Sequence, residues 1–224
     1  MERIFADLYR FSDGPRGPSK KMSYTYLLVR KQGNLLIRHW GLSSVFDHLD
    51  EIAELGGIDR QFVAHHHDAK RGDLHDRLYA RFGCKLSYHQ AERRHVRAKT
   101  KCPEQEFGDE GLQLGSDFKA HAFPGHTPGM SIFQWRNRGK YHLFPSHVIQ
   151  YHNDEWYIDF DPPPTPPLHA QPAELAALQV DYLLPGASAG DKEPVHTFTA
   201  GTRKSFHEAL HTKTSPKPDS PTRA

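Results

Sequence analysis

Three consecutive histidines, His65-His66-His67, follow the apolar pair Phe62-Val63 and lead into Asp68-Ala69-Lys70-Arg71-Gly72. Where a strand runs out, side chains two residues apart leave on one side. His65 and His67 can therefore share a metal ion, while His66 faces away. A single His-x-His is a weak signal. It gains weight from a second motif, Phe123-Pro124-Gly125-His126-Thr127-Pro128-Gly129, further along the chain. No other chemistry competes: there is no Gly-rich phosphate loop, no Gly-x-Ser-x-Gly nucleophile turn and no Cys-x-x-Cys pair.

These loops need elements to hold them. Residues 4–11 read as an opening strand and 12–21 as a Gly/Pro/Lys-rich loop. Residues 24–30 and 34–38 read as a hairpin turning at Gln32-Gly33. Ser43 or Ser44 caps a predicted helix through Leu55, with Phe46, Leu49, Ile52 and Leu55 on one face and Gly56-Gly57 at its end. Residues 61–64 form the short strand that delivers the histidine loop. Asp73 is the expected N-cap of a helix over 74–82, with Gly83 just past its end. A strand over 85–88 and a helix over 90–98 follow. Strands over 112–114 and 118–123 lead into the second histidine turn. Strands over 131–135 and 141–144 flank the turn Asn137-Arg138-Gly139. Pro172 starts a short helix to Gln179, then come a strand over 182–184 and a closing helix over 199–211. Residues 1–211 read as one domain, and the Pro/Ser/Thr/Lys-rich tail over 212–224 is expected to be disordered. Strands and helices alternate in two halves with a histidine loop in each, which suits a sheet-on-sheet core with helices outside.

Composition sets the bounds. A length of 224 residues suffices for one full-sized domain, and 37% apolar residues, though low, can fill a core. A net charge of +2 gives no strong attraction to nucleic acid or to an anionic membrane. No apolar run approaches a membrane span, and the first residues lack a signal-peptide core. The expectation is a cytoplasmic protein whose partner is a small-molecule substrate; oligomeric state is not legible. The cluster Arg93, Arg94, His95, Arg97, Lys99 and Lys101 reads as a solvated helix face and loop before it reads as an anion patch. Nothing demands a disulfide between Cys84 and Cys102.

The two histidine motifs together resemble the metallo-beta-lactamase superfamily, marked by H-x-H-x-D-H after a strand and by a G-H-T-P-G turn. The resemblance spans roughly residues 24–210 and implies an α/β fold, the four-layer αββα sandwich, with the metal at one sheet edge. It implies a first metal site at His65, His67 and His126, all present here. Three histidines plus water form a catalytic zinc shell. The family's second site maps to Ala69, Lys70 and Ala187, where no ordinary ligand stands. Asp68 falls one position early and reads as a loop-capping carboxylate. The family's bridging aspartate, in a motif like F-x-G-D-T, maps to His147 within Phe144-Pro145-Ser146-His147-Val148. His147 is thus either a fourth ligand or a general base. Lys70 reads equally as an auxiliary cation near the vacated second site or as a surface lysine beside Arg71. Ile37-Arg38-His39-Trp40-Gly41 stands where the family often has L-I-D-x-G, so the surroundings of the ligands differ too. The proline-rich run Asp159 to Pro167 could wall a pocket or serve as a rigid connection.

The resemblance implies a hydrolase with one metal ion per chain, zinc or alternatively iron, that attacks an ester, thioester or amide with water. Two other readings stand beside it: an inactive fold kept for binding or scaffolding, and a mononuclear iron oxygenase.

Overall fold

The computed structural model describes residues 1–16, 21–38, 43–69, 73–152, 155–158, 177–189 and 195–214. It opens on a hairpin. β1 (Glu2–Phe5) turns at Ala6-Asp7 into β2 (Leu8–Arg16), which pairs next with β3 (Lys21–Leu28). The single strand expected over 4–11 is therefore two, and much of the expected loop over 12–21 is strand. The reason is burial on both faces: Leu8 enters one apolar cluster and Phe11 another, so no alternation marks the strand's limits.

The first sheet runs β1-β2-β3-β4-β5-β6-β7, with β15 (Ala187–Ala189) beside the first half of β3. β4 (Leu35–Arg38), β5 (Arg60–Val63), β6 (Lys85–His89) and β7 (Glu104–Phe107) are mutually parallel. Parallel neighbours need crossovers. Here they are α1 (Ser43–Phe46) with α2 (Leu49–Glu54), then α3 (Leu74–Phe82), then a 3₁₀ turn (Gln90–Glu92) with α4 (Arg93–Arg97). The second sheet runs β16 (His196–Thr197), β14 (Tyr182–Leu183), β11 (Lys140–Phe144), β10 (Ser131–Asn137), β9 (Phe118–Ala122) and β8 (Leu112–Leu114). A hairpin of β12 (Ile149–His152) and β13 (Glu155–Ile158) stands apart, and α5 (Ala200–Thr214) closes the described chain. The architecture is an αββα sandwich.

Period-two alternation builds its core. Tyr24, Tyr26 and Leu28 of β3, Leu35 and Ile37 of β4, and Phe62 of β5 face the second sheet, while Leu27 and Leu36 between them face α1, α2 and α3. Across the inner gap Phe62 meets Phe118 and Phe133 at ring separations of 5.0 and 5.3 Å. Each such pair adds about 0.5–1.5 kcal/mol beyond the area it buries. Trp156 of β13 packs on Phe206 at 4.8 Å and thereby docks α5.

Several expected elements differ in ways with identifiable causes. The helix expected over 43–55 breaks at Asp47-His48 into α1 and α2. Buried Asp13 of β2 accepts from the Ser44 backbone N–H and from the Ser43 and Ser44 hydroxyls, fixing where α1 starts. The helix expected over 90–98 starts as the 3₁₀ turn. Over 74–82 the helix is as expected, with Gly83 at φ +71° after it; Asp73 caps through its carbonyl, which accepts from Arg77 N–H, and makes no side-chain cap. β7 was hidden by its charge. It reads Glu-Gln-Glu-Phe, and Arg93 and Arg97 pair with Glu106 and Glu104. These two arginines of the basic cluster are thus structural surface partners, with modest value each. β12, β13, β15 and β16 were not among the expected strands. The closing helix runs to Thr214, into the expected tail. Most of the helix expected from Pro172 and the tail from residue 215 lie outside the described residues.

One half-buried histidine outside the candidate site makes a pH prediction. His121 on β9 has an Nε2 with no hydrogen-bond partner among the described residues. Burial, and to a lesser degree Lys119, pushes its pKa down to about 4 from 6.5. The unfolded chain then takes up a proton between these values that the folded chain refuses. Stability is full above about pH 6.5 and declines as the pH falls toward 4. Urea midpoints of metal-free protein should fall between neutral and mildly acidic pH, and His121→Leu should flatten that decline. The same pH dependence in both proteins would remove His121 from the account.

Candidate metal centre

β5 ends at Val63, and the chain stops alternating there. Asp68 N–H bonds the His65 carbonyl at 3.1 Å and Ala69 N–H that of His66 at 3.2 Å. These closures are tight turns, so residues three apart come side by side. Asp68 therefore lands beside His65, with Oδ2 at 3.1 Å from Nδ1, and both side chains are fully buried. Asp68, expected as a loop-capping carboxylate, thus bonds within its own loop to the His65 ring, and its carboxylate stands in a set with His65 and His147 that could hold a metal ion. Ala69 takes the opposite side and packs with Val63, Leu86, Tyr88 and Val96.

The second turn is closed by its own backbone, with Phe123 N–H to the Met130 carbonyl at 2.7 Å and Met130 N–H to Thr127 at 3.2 Å. Ser131 N–H bonds the Ala64 carbonyl at 2.8 Å, so the start of β10 is fastened to the end of β5. The result brings His65, His67 and His126 together, with one ligand atom of each within 4.8 Å of the others. His67 Nδ1 lies 3.2 Å from His126 Nε2. Two nitrogens bound to one tetrahedral zinc at about 2.0–2.1 Å stand roughly 3.3 Å apart. His65 Nε2 is buried with no hydrogen-bond partner among the described residues, while its Nδ1 is held by Asp68. Burial, aided by the charges of neighbouring histidines, lowers the His67 pKa to about 4. Its ring is neutral at physiological pH and keeps a lone pair to give. A buried orphan nitrogen, a matching donor separation and the neutral His67 imidazole are what a metal ion requires.

The third strand end to arrive is that of β11. His147 packs its ring 4.9 Å from His65 and 4.6 Å from His126. Its ligand atom gathers with those of His65 and Asp68 in a second set, again within 4.8 Å. Ser146, before it, holds φ +56°. This left-handed conformation costs a non-glycine residue about 1–2 kcal/mol. Its hydroxyl donates to Asp68 Oδ2 at 3.2 Å and lies 3.4 Å from His147 Nδ1. Gly186 N–H fixes the turn through the Ser146 carbonyl at 2.6 Å. The next residue, Ala187, pairs with Ser23 in the first sheet and supplies no ligand.

Sequence reading missed Glu92. This fully buried carboxylate spans both histidine loops. Oε2 accepts from the His66 backbone N–H at 2.9 Å and pairs with His66 Nδ1, while Oε1 accepts from Thr127 Oγ1 at 2.7 Å and Gly129 N–H at 2.8 Å. Gly129 is required here, since a Cβ would sit 2.6 Å from Glu92 Cγ. His66 turns out of the metal set as expected, yet it is engaged: besides Glu92 it stacks on His95 at 4.6 Å. A glutamate in Gln90-Ala91-Glu92-Arg93 looks like any surface helix residue, and only the fold shows where it points.

Lys70, His39, Trp40, Gly41 and the run from Asp159 to Pro167 lie outside the described residues. Cys84 and Cys102 are buried free thiols, and Gln61 Nε2 reaches both sulfurs, at 3.3 and 3.8 Å. Among the described residues no helix is long and apolar enough to cross a membrane.

No protein-family model and no curated protein matches the chain. Solved structures do. MIM-2 metallo-beta-lactamase aligns with a TM-score of 0.65 at 18% identity, over 94% of this chain and 87% of that one. The metallo-beta-lactamase SMB-1 gives 0.62 at 16% identity, over 95% and 93%. BJP-1, a subclass B3 metallo-beta-lactamase of Bradyrhizobium japonicum, gives 0.58 at 17% identity, over 94% and 90%. At such identities the likeness speaks for architecture alone. With two mixed sheets, helices outside them and histidines gathered from both halves at one edge, the chain has the metallo-beta-lactamase fold.

Proposed function

We propose that the protein is a metal-dependent hydrolase holding one ion through His65, His67 and His126. The observation that carries this reading is the 3.2 Å approach of His67 Nδ1 to His126 Nε2 beside the buried His65 Nε2, which has no hydrogen-bond partner among the described residues. The ion, zinc by the preference of three imidazoles, would supply Lewis-acid activation of water and charge for a developing oxyanion. The substrate class is a small molecule with an ester, thioester or amide carbonyl. Asp68 holds His65 in place from the side away from its Nε2. His147 adds a fourth nitrogen or accepts the proton of the attacking water; its ligand atom gathers with those of His65 and Asp68 in a set that could hold an ion, which favours ligation. Lys70 remains an auxiliary cation in this proposal.

Binding of one ion follows from what replaced the family's other ligands. Ala69 is buried among apolar side chains and Ala187 sits in a strand, so neither place offers a donor. Elemental analysis of protein loaded with zinc or iron should give about one equivalent. Near two equivalents would overturn the assignment and direct attention to Asp68 and His147. No uptake of either metal would favour a binding or scaffold role, and selective retention of iron would favour the oxygenase. Hydrolysis of an ester and thioester panel, lost on chelation and restored by metal, is the test of activity.

A further inference from the structure

We infer that Ser146 and Asp68 form a hydrogen-bonded relay that sets the tautomers of His65 and His147. It deepens the metal-site reading above, but it concerns the resting protein before any ion arrives. A carboxylate can only accept hydrogen bonds. Asp68 Oδ2 lies 3.1 Å from His65 Nδ1 and 3.2 Å from Ser146 Oγ, so both must donate to it. His65 then carries its proton on Nδ1 and its lone pair on Nε2, the buried atom with no partner among the described residues. Ser146, having spent its one proton on Asp68, can only accept from His147 Nδ1 at 3.4 Å. His147 is thereby also an Nδ1–H imidazole with its lone pair on Nε2. One buried carboxylate and one hydroxyl thus orient two imidazoles from opposite sheets.

The backbone supplies an independent argument. Ser146 stands where the resemblance places glycine, and it holds φ +56°, a conformation glycine adopts without strain. Strain at a non-glycine residue is kept where the side chain has work to do. The Ser146 hydroxyl meets Asp68 and His147, both in the site. Asp68 and Ser146 are therefore positioning residues. They act on the metal through the rings they hold.

The test uses full-length, metal-free protein above neutral pH, with histidine tautomers read by long-range proton–nitrogen NMR. Both His65 and His147 should be Nδ1–H in the wild type. Ser146→Ala and Ser146→Gly should each release His147 toward the Nε2–H form and leave His65 unchanged. The alanine variant should melt lower than the glycine variant, because it keeps the left-handed strain. Asp68→Asn, whose amide can donate to His65 Nδ1, should turn His65 to Nε2–H. Zinc affinity, measured by chelator competition, should fall about 10–100-fold in Asp68→Asn, the usual effect of losing an outer partner. An Nε2–H His65 in the wild type would overturn the relay, since its Nδ1 lone pair would then face Asp68 and suit a cation between them. So would a Ser146→Gly protein with the wild-type His147 tautomer. Because tautomers are read without metal, failure to bind zinc would count against the hydrolase reading and leave the relay standing.

Discussion

Replacing His126 with alanine should abolish tight metal binding while leaving the metal-free fold nearly as stable as before. His126 is half-buried in a turn closed by its own backbone bonds, and its ring meets the rings of His65, His67 and His147, so the turn keeps its shape without it. It is one of three donors converging within 4.8 Å, so its loss removes a bond to the ion itself. The affinity should drop by more than the about 10–100-fold that follows loss of an outer partner. His66→Ala is the informative control. The alternation of the sequence suggested an idle outward residue, yet its ring pairs with Glu92. That variant should weaken binding by an outer-partner amount and leave three ligands in place. Equal zinc affinities for His126→Ala and His66→Ala, by competition with a chromogenic chelator, would mean that the register of the histidine loop is misassigned.

Glu92→Ala should be among the most destabilising single changes in the protein. It strands the His66 and Gly129 amides and the Thr127 hydroxyl inside the structure. An unsatisfied buried donor costs about 1–3 kcal/mol. The three share one cavity and will not add fully, so a total of about 3–5 kcal/mol is expected, the range seen when a buried charged partner is removed. For a chain of this length each kcal/mol lowers Tm by about 2–4 °C, giving a fall of roughly 6–20 °C. Both histidine loops should loosen together, so metal affinity should fall as well. Burial by itself would raise the Glu92 pKa, but hydrogen bonds from Thr127, His66 and Gly129 outweigh it and hold the carboxyl below its ordinary value of 4.5. Its stabilisation is therefore present above about pH 4.5 and is lost as the pH falls through the lower folded value. Thermal melts across that range would show it. A Glu92→Ala protein that melts within a degree or two of wild type would refute the clamp.

The parts of this protein that depend on neighbours along the chain are legible in its residues. The hairpin of β3 and β4 is legible because alternation and a glycine turn are local properties. So are α3 with Gly83 behind it, and the Asn137-Arg138-Gly139 turn, whose last two residues hold φ +51° and +76°. His65, His67 and His126 could be named because short motifs with fixed spacing carry them, and Ala69 and Ala187 could be named as ligands missing from the same pattern. The remaining features arise from contacts between segments distant along the chain. Strand alternation placed Asp68 outside the site, but backbone bonds from Asp68 and Ala69 curl the loop after β5, and that curl sets Asp68 against His65. β7 stayed hidden because its ladder bonds come from β6 and its charges are matched by arginines on α4, neither of which leaves an apolar period. Glu92 and Ser146 act across 26 to 78 residues of chain, on His66, Thr127, Gly129 and Asp68. A hydrogen bond between such distant residues has no periodicity and no local propensity. It exists only once the two sheets have packed and brought the ends of β5, β9 and β11 to one edge.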